Sequence, residues 1–183
     1  MESDEVLYRR FLAGDTTSYD KLMLRYGDNL TYYLKGFLRS MEDAEDLMIE
    51  AFAMIMAKKP RIKDGNFKAY LFKVAHNLIS HFYKESKRLE VFSLSDIDDK
   101  MPDGKSFEEK ILNDEKKRIL HRCIERLEPM LREVIWLIYF EKMSYESAAD
   151  IMGVNKNKVH HSLEKARLDL KEELEKEGIE DAY

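Results

Sequence analysis

Two short helices separated by a forced turn are written into the run Met143 to Val159 (MSYESAADIMGVNKNKV), and no other part of the chain restricts the fold as much. Ser144 has the side chain to cap the first helix. Ala148, Ala149, Ile151 and Met152 give that helix one small apolar face. Gly153 falls where a helix ends in a residue of positive φ. Asn155 then caps a second helix whose inward residues are Val159 and Leu163. This is the pattern of a helix-turn-helix, in which the second helix lies in a DNA major groove. Any αα-hairpin of a helical protein satisfies the same pattern, so the rest of the chain has to decide between them.

That remainder is helical too. Gly and Pro are scarce, 7 and 3 in 183 residues, which argues against turn-rich β architectures. The spacing predicts a helix over 4–13 with Val6, Leu7, Phe11 and Leu12 inward. A long helix over 17–38 follows, with Leu22, Tyr26, Leu30, Tyr33 and Phe37 recurring at helical spacing. Ser40 to Asp43 resembles a capping box and starts a third helix, to about 58, with Leu47, Ala51, Met54 and Ile55 inside. A loop over 60–65 leads to a fourth helix over 66–87. Residues 89–105 then turn polar and acidic and read as a linker. A second helical block begins near Ser106 and contains Ile111, Ile119, Ile124 and Leu127. It breaks near Glu128-Pro129, resumes through Leu131, Val134, Ile135, Leu137 and Ile138, passes through the helix-turn-helix and ends at Gly178. The fold class is therefore all-α, with two helical domains, 1–88 and 106–183, joined by a flexible linker. The single cysteine, Cys123, sits among Ile119, Leu120, Ile124 and Leu127 and reads as a buried, inert thiol. The N-terminus is polar and acidic, unlike a signal peptide, and no apolar run is long enough to span a bilayer, so the expected location is the cytoplasm.

A net charge of −5 looks wrong for a nucleic-acid partner until it is placed along the chain. Residues 61–88 hold seven Lys/Arg against two acids, and residues 155–171 hold five against two. Residues 89–116 hold four Lys against nine acids, and residues 172–181 hold one against six. Two basic patches are each followed by an acidic segment. Such a chain should bind free duplex weakly, the acidic segments opposing non-specific contact.

The helix from Phe67 to Arg88 has an expected inward stripe of Leu71, Val74, Leu78 and Phe82. Lys73, His76, Asn77, Ser80, Lys84 and Lys87 fall on another face, with Phe67, Tyr70 and Tyr83 beside them. Cations can take phosphates, aromatic rings can stack on exposed bases, and an Asn can hydrogen-bond a base edge, a combination suited to melted DNA. An amphipathic helix with a solvated basic face has the same composition. The last helix carries Lys156, Asn157, Lys158, His160, His161, Ser162, Lys165 and Arg167. Its first residues would meet base edges and the later ones phosphates. His160 and His161 are adjacent and cannot form a metal pair on one helix face, so no metal and no cofactor is expected. Neither a nucleophile with its base nor a phosphate-cradling glycine loop is present, which leaves no enzymatic reading.

Several motifs in order then resemble one family. These are Leu12-Ala13-Gly14-Asp15 with Tyr19 to Leu22 and Arg25-Tyr26; Asp43 to Leu47 with Glu50-Ala51-Phe52; Phe67 to Leu78; Leu127 to Leu137; Met143 to Val159; and Lys165-Ala166-Arg167. Across nearly the whole chain the sequence resembles the extracytoplasmic-function group of bacterial sigma factors, the promoter-recognition subunits of RNA polymerase. The resemblance implies that Asp43, Asp46, Leu47 and Glu50 dock on the clamp helices of the β′ subunit. It implies that Asn77, with the loop Lys63 to Asn66, holds a base flipped from the minus-ten element, and that Lys73, His76, Ser80, Lys84, Lys87 and Arg88 follow the melted strand. It places Ser144, Tyr145, Lys156, Asn157, Lys158, His160, His161, Lys165 and Arg167 on the minus-thirty-five element. It also implies an acidic linker threading the polymerase channel, contact with the β flap, an inhibitory anti-sigma partner, and a monomer when free. The family often has a Gly-Thr-Val step and several Arg residues in its recognition helix. Here Asn157-Lys158-Val159 and His160-His161-Ser162 stand instead, so an unusual sequence preference is expected, without the bidentate Arg–guanine contact. A stand-alone two-domain helix-turn-helix regulator, without polymerase docking, is the alternative.

Overall fold

The computed structural model describes the backbone of residues 2–92 and 115–179, and the side chains of 2–84, 115 and 117–179. The chain divides into two compact units, Met1–Met101 and Pro102–Tyr183. Most of the acidic linker, Ile111 and the expected helix start at Ser106 lie outside the described residues, as do the side chains of Lys87 and Arg88. Among the described residues there are helices and no strands.

The first unit is built from α1 (Asp4–Leu12), α2 (Thr16–Lys35), α3 (Met41–Lys58) and α4 (Phe67–Phe92). Local chemistry starts each one. Asp4 and Glu5 lie in the first turn of α1 and Arg9 and Arg10 in its last, complementing the helix dipole. Asp15 caps α2, accepting hydrogen bonds from the Thr17 and Ser18 hydroxyls at 2.6 and 2.7 Å and from both backbone N–H groups. The Thr17 and Ser18 hydroxyls, with those N–H groups, hold the Asp15 carboxyl down at about 2. Ser40 caps α3 through the Asp43 N–H at 3.0 Å. The reciprocal bond of a capping box is replaced: the Ser40 hydroxyl donates to the Asp43 carboxylate at 2.7 Å.

The core of this unit differs in detail from the periodicity. Leu7, Leu22, Leu30, Tyr33, Leu47, Ala51, Ile55 and Leu71 are buried as the spacing predicts, but so are Tyr8, Tyr19, Phe52, Phe67, Phe72, Ala75 and Ile79. Leu12 is exposed, and Val74, Leu78 and Phe82 are half-buried. Apolar residues occur most of the way round α4, so several stripes fit the sequence equally well. Packing against α2 and α3 selects the one through Phe67, Leu71, Ala75 and Ile79. Two boundaries also move. α2 stops at Lys35, and α4 continues to Phe92, into the segment assigned to the linker. Gly27, inside α2, faces Met48, whose sulfur would lie at an ordinary contact distance of 3.8 Å from a Cβ there.

The second unit contains α5 (Glu115–Arg126), α6 (Pro129–Ile135), a π turn (Trp136–Phe140), α7 (Tyr145–Met152) and α8 (Lys156–Lys176). Pro129 opens α6 at the position where a missing N–H costs nothing. The π turn stacks Trp136 on Phe140, with ring centres 4.4 Å apart, and His121 lies against both rings. Cys123, Ile124, Leu131, Val134, Leu137, Ile151, Val159, Leu163 and Leu170 form the core. Arg126 pairs with Glu173 and Glu177 at 3.3 and 2.8 Å, and Arg122 reaches Glu177 at 3.5 Å. Part of the acidic C-terminal charge is thus spent holding α8 to α5 rather than facing solvent.

Candidate functional site

The helix-turn-helix forms through the residues that predicted it. The Ser144 hydroxyl accepts from the Ser147 N–H at 3.1 Å, and the Asn155 side chain accepts from the Lys158 N–H at 2.8 Å. Gly153 takes φ +66°, and the Val154 N–H returns to the Ala149 carbonyl at 3.1 Å, closing α7 with a left-handed cap. Ala148, Ala149, Ile151, Met152, Val159 and Leu163 all point inward.

That inward face leaves Lys156, Asn157, Lys158, His160, His161, Lys165 and Arg167 exposed. Tyr145 is half-buried and meets His160 edge-on, ring centres 6.0 Å apart. Ser144 is committed to its cap. Two neighbours of this surface were missed by sequence reasoning. Glu164 lies 3.5 Å from His160 and 3.6 Å from His161, placing an acid between them; its i+4 and i+3 spacing was the available signal. Tyr139 accepts from the Arg167 Nε at 2.5 Å and lies under its guanidinium, at 5.5 Å from the ring centre. No local pattern announces that second contact, because the π turn aims Tyr139 across the domain.

In the first unit Lys63, Asn66, Asn77, Ser80 and Lys84 are exposed, and Lys73 and His76 are half-buried. They do not make one pocket. Asn66 closes a turn with the Lys63 carbonyl at 3.0 Å, just before α4. Asn77 is eleven residues further on, about 16 Å along the helix at 1.5 Å per residue. The loop and Asn77 therefore lie at separate places on this unit. Arg61, also exposed on this loop, was not singled out from the sequence. The ring of Phe67, expected beside the basic face, is buried against Tyr8 and Tyr26 and cannot stack on a base.

The acidic surface lies on α3. Asp46 and Glu50 are exposed, and Ile49 between them is 53 % exposed. Leu47 is 6 % exposed and belongs to the core, behind this surface. Asp43 is half-buried and already bonded to Ser40. Among the described residues no group of acids, histidines and cysteine is arranged to hold a metal ion, and no helix is long and apolar enough to cross a membrane.

Two all-helical units, one with an acidic and a basic surface and one with an exposed recognition helix, define a two-domain nucleic-acid-binding class. Residues 22–89 match the family model for sigma-70 region 2, and residues 117–170 match that for sigma-70 region 4. The RNA polymerase sigma-H factor of Pseudomonas aeruginosa is 27 % identical over 175 residues, covering 91 % of each chain. The extracytoplasmic-function (ECF) RNA polymerase sigma-E factor of Escherichia coli is 26 % identical over 176 residues, covering 90 % of this chain and 91 % of that one. The solved structure of CnrH with the cytosolic domain of CnrY matches with a TM-score of 0.68 at 21 % identity, over 95 % of this chain and 98 % of that chain. The sigma factor RpoE of Bartonella quintana, solved with the anti-sigma factor NepR, matches with a TM-score of 0.69 at 23 % identity, over 86 % of this chain and 96 % of that chain. This chain belongs to the sigma-70 family, in its ECF group, and is a sigma factor of RNA polymerase.

Proposed function

We propose that this sigma factor divides its work among three surfaces: α3 docks on core RNA polymerase, the basic face of α4 with the loop before it engages the minus-ten element, and α8 reads the minus-thirty-five element. The observation that carries this is the separation of charge within the first unit. Asp46 and Glu50 stand exposed on α3, while Lys63, Asn66, Asn77 and Lys84 stand exposed on the loop and α4. A basic polymerase surface and a nucleic-acid strand can therefore be bound at once without competing for the same side chains.

Docking falls to Asp46 and Glu50, with Ile49 as the apolar contact between them and Asp43 ordering the helix start. The β′ clamp helices are the partner for this surface, and the β flap is the partner for the second unit. Domain limits of 1–88 and 106–183, an acidic linker in the polymerase channel, and a monomeric free state complete the proposal. Because the Bartonella RpoE was solved with the anti-sigma factor NepR, an anti-sigma factor is proposed here as well. The protein acts in the cytoplasm as a regulatory initiation factor rather than as an enzyme.

Co-elution of the full chain with bacterial core RNA polymerase tests the docking. A complex at submicromolar concentration, weakened by Asp46→Lys with Glu50→Lys, is the expected result. A folded chain that never joins core from its own source organism would instead make it a stand-alone regulator. Asn77→Ala should leave core binding intact and impair open-complex formation; normal melting would remove Asn77 from the strand-binding face.

A further inference from the structure

The loop between α3 and α4 carries Arg61, Lys63 and Asn66, yet little of its conformation is set from within. It begins at Lys59, whose φ of +43° puts a non-glycine residue in the left-handed region, and ends at Gly65, with φ +81°. Both ends are tied to the same face of α1. At the start, the Tyr8 hydroxyl donates to the Pro60 carbonyl at 2.7 Å. The Tyr8 ring is buried and packs on Phe67, the first residue of α4, at 5.3 Å. At the far end Glu5 lies against Gly65, and its carboxyl is held below its ordinary range, chiefly by Ser3 and by backbone N–H groups that include that of Gly65. A Cβ on Gly65 would lie 3.7 Å from Glu5 Oε1. Glu5 and Tyr8 are three residues apart and so lie on one face of α1. An exposed pair, Arg9 with Asp64 at 3.8 Å, bridges the middle and contributes little by itself.

The helix is itself anchored to α2. Asp4 is bonded by Arg25 and Tyr26 of α2, and the Arg25 guanidinium donates to the Glu2 carbonyl at 2.7 Å. α1 is thus bonded both to α2 and to the loop. A cleft of about 230 Å³ remains between α1 and the loop, so the two are held at their ends and are not fused along their length.

We infer that Tyr8 and Glu5 are positioning residues for promoter reading: α1 is a strut that holds the 60–66 loop in the shape in which Lys63 and Asn66 meet the melted strand. This rests on the proposed role of the loop in the minus-ten element. The physical reason is entropic. A short loop ordered only at its two junctions with α3 and α4 would sample many conformations, and ordering each residue at the moment of binding costs backbone entropy. Fixing the loop in advance removes that cost from strand recognition.

The experiment uses the full chain assembled with core polymerase, and a single-stranded non-template oligonucleotide pool with six randomised positions as probe. Enrichment is read by sequencing. Lys63→Ala and Asn66→Ala mark the positions whose base preference depends on the loop. Tyr8→Phe, which removes only the hydroxyl, should flatten the preference at those same positions about fivefold, the factor one ordinary hydrogen bond is worth. Glu5→Ala, a surface change, should act at the same positions from the other end. Tyr19→Phe is the control for stability, since it removes a comparable buried bond, 2.6 Å to the Phe52 carbonyl, away from the loop. It should leave the enrichment profile unchanged. In a background with both Lys63→Ala and Asn66→Ala, Tyr8→Phe should add nothing, whereas a general loss of stability would persist there. Wild-type enrichment in both Tyr8→Phe and Glu5→Ala overturns the positioning role while leaving the loop's own role intact. Unaltered enrichment in Lys63→Ala and Asn66→Ala overturns the loop's role and the positioning role with it.

Discussion

Gly153 is the residue on which the recognition helix turns, and its replacement has a calculable cost. Its φ of +66° and ψ of +32° lie in the left-handed region. A Cβ built there meets no atom within 4 Å, so Gly153→Ala creates no clash and the whole penalty is conformational. An L-residue with a Cβ pays about 1–2 kcal/mol for this conformation. Alanine's lower entropy in the unfolded chain returns about 0.4–1 kcal/mol. The net loss is about 1 kcal/mol. Asn, which tolerates the conformation, should cost less, and the β-branched Val should cost more. The chain supplies its own probe: its single tryptophan, Trp136, is buried in the same domain, against Phe140. Urea unfolding followed by Trp136 fluorescence therefore reports that domain alone. With a slope of about 1–2 kcal/mol per molar for a small domain, Gly153→Ala should lower the midpoint by roughly 0.5–1 M. The order should run wild type, Asn, Ala, Val from most to least stable. An Ala midpoint equal to wild type, or Val equal to Asn, would refute the claim that this turn is held by glycine's conformational freedom.

Three further predictions rest on other parts of the structure. Leu47→Ala should cost about 2–5 kcal/mol of stability in the first unit, as core deletions do, while Asp46→Lys should alter core-polymerase affinity with little change in thermal midpoint. Equal thermal midpoints for Leu47→Ala and wild type would return Leu47 to the docking surface. Asp15, with its carboxyl held at about 2 against an ordinary value of 3.8, binds fewer protons folded than unfolded in that interval. Stability from the α2 cap is therefore full above about pH 4 and is lost as pH falls toward 2; acid titration of Asp15→Asn should lack this part of the slope. Tyr139→Phe removes the hydroxyl that accepts from Arg167 but keeps the ring beneath it, so affinity for duplex promoter DNA should fall only a few-fold, and a Tyr139→Ala variant should lose more.

Much of this is legible in the sequence. Capping chemistry is local, which is why Ser40, Ser144, Gly153 and Asn155 could be read one by one and act as read. The helix-turn-helix face was legible for the same reason, its apolar spacing being short and unambiguous. The α4 face was not, because residues from Phe67 to Phe82 are apolar on more than one side. The π turn at Trp136 and the Arg167–Tyr139 contact left no local trace, since both depend on how α6 meets α8.

The amino-acid order alone determined that the described residues are helical and where the capped helices start, because each of these follows from side chains within four or five positions of one another. Tertiary structure decided which residues the surfaces can use. It buried Leu47 and Phe67 and bound the Lys63 loop to α1 through Tyr8. Those outcomes depend on residues more than fifty positions apart, or on which of several equivalent helix faces turns inward. Only close packing of all four helices settles them, since it allows one arrangement in which every large side chain finds a space.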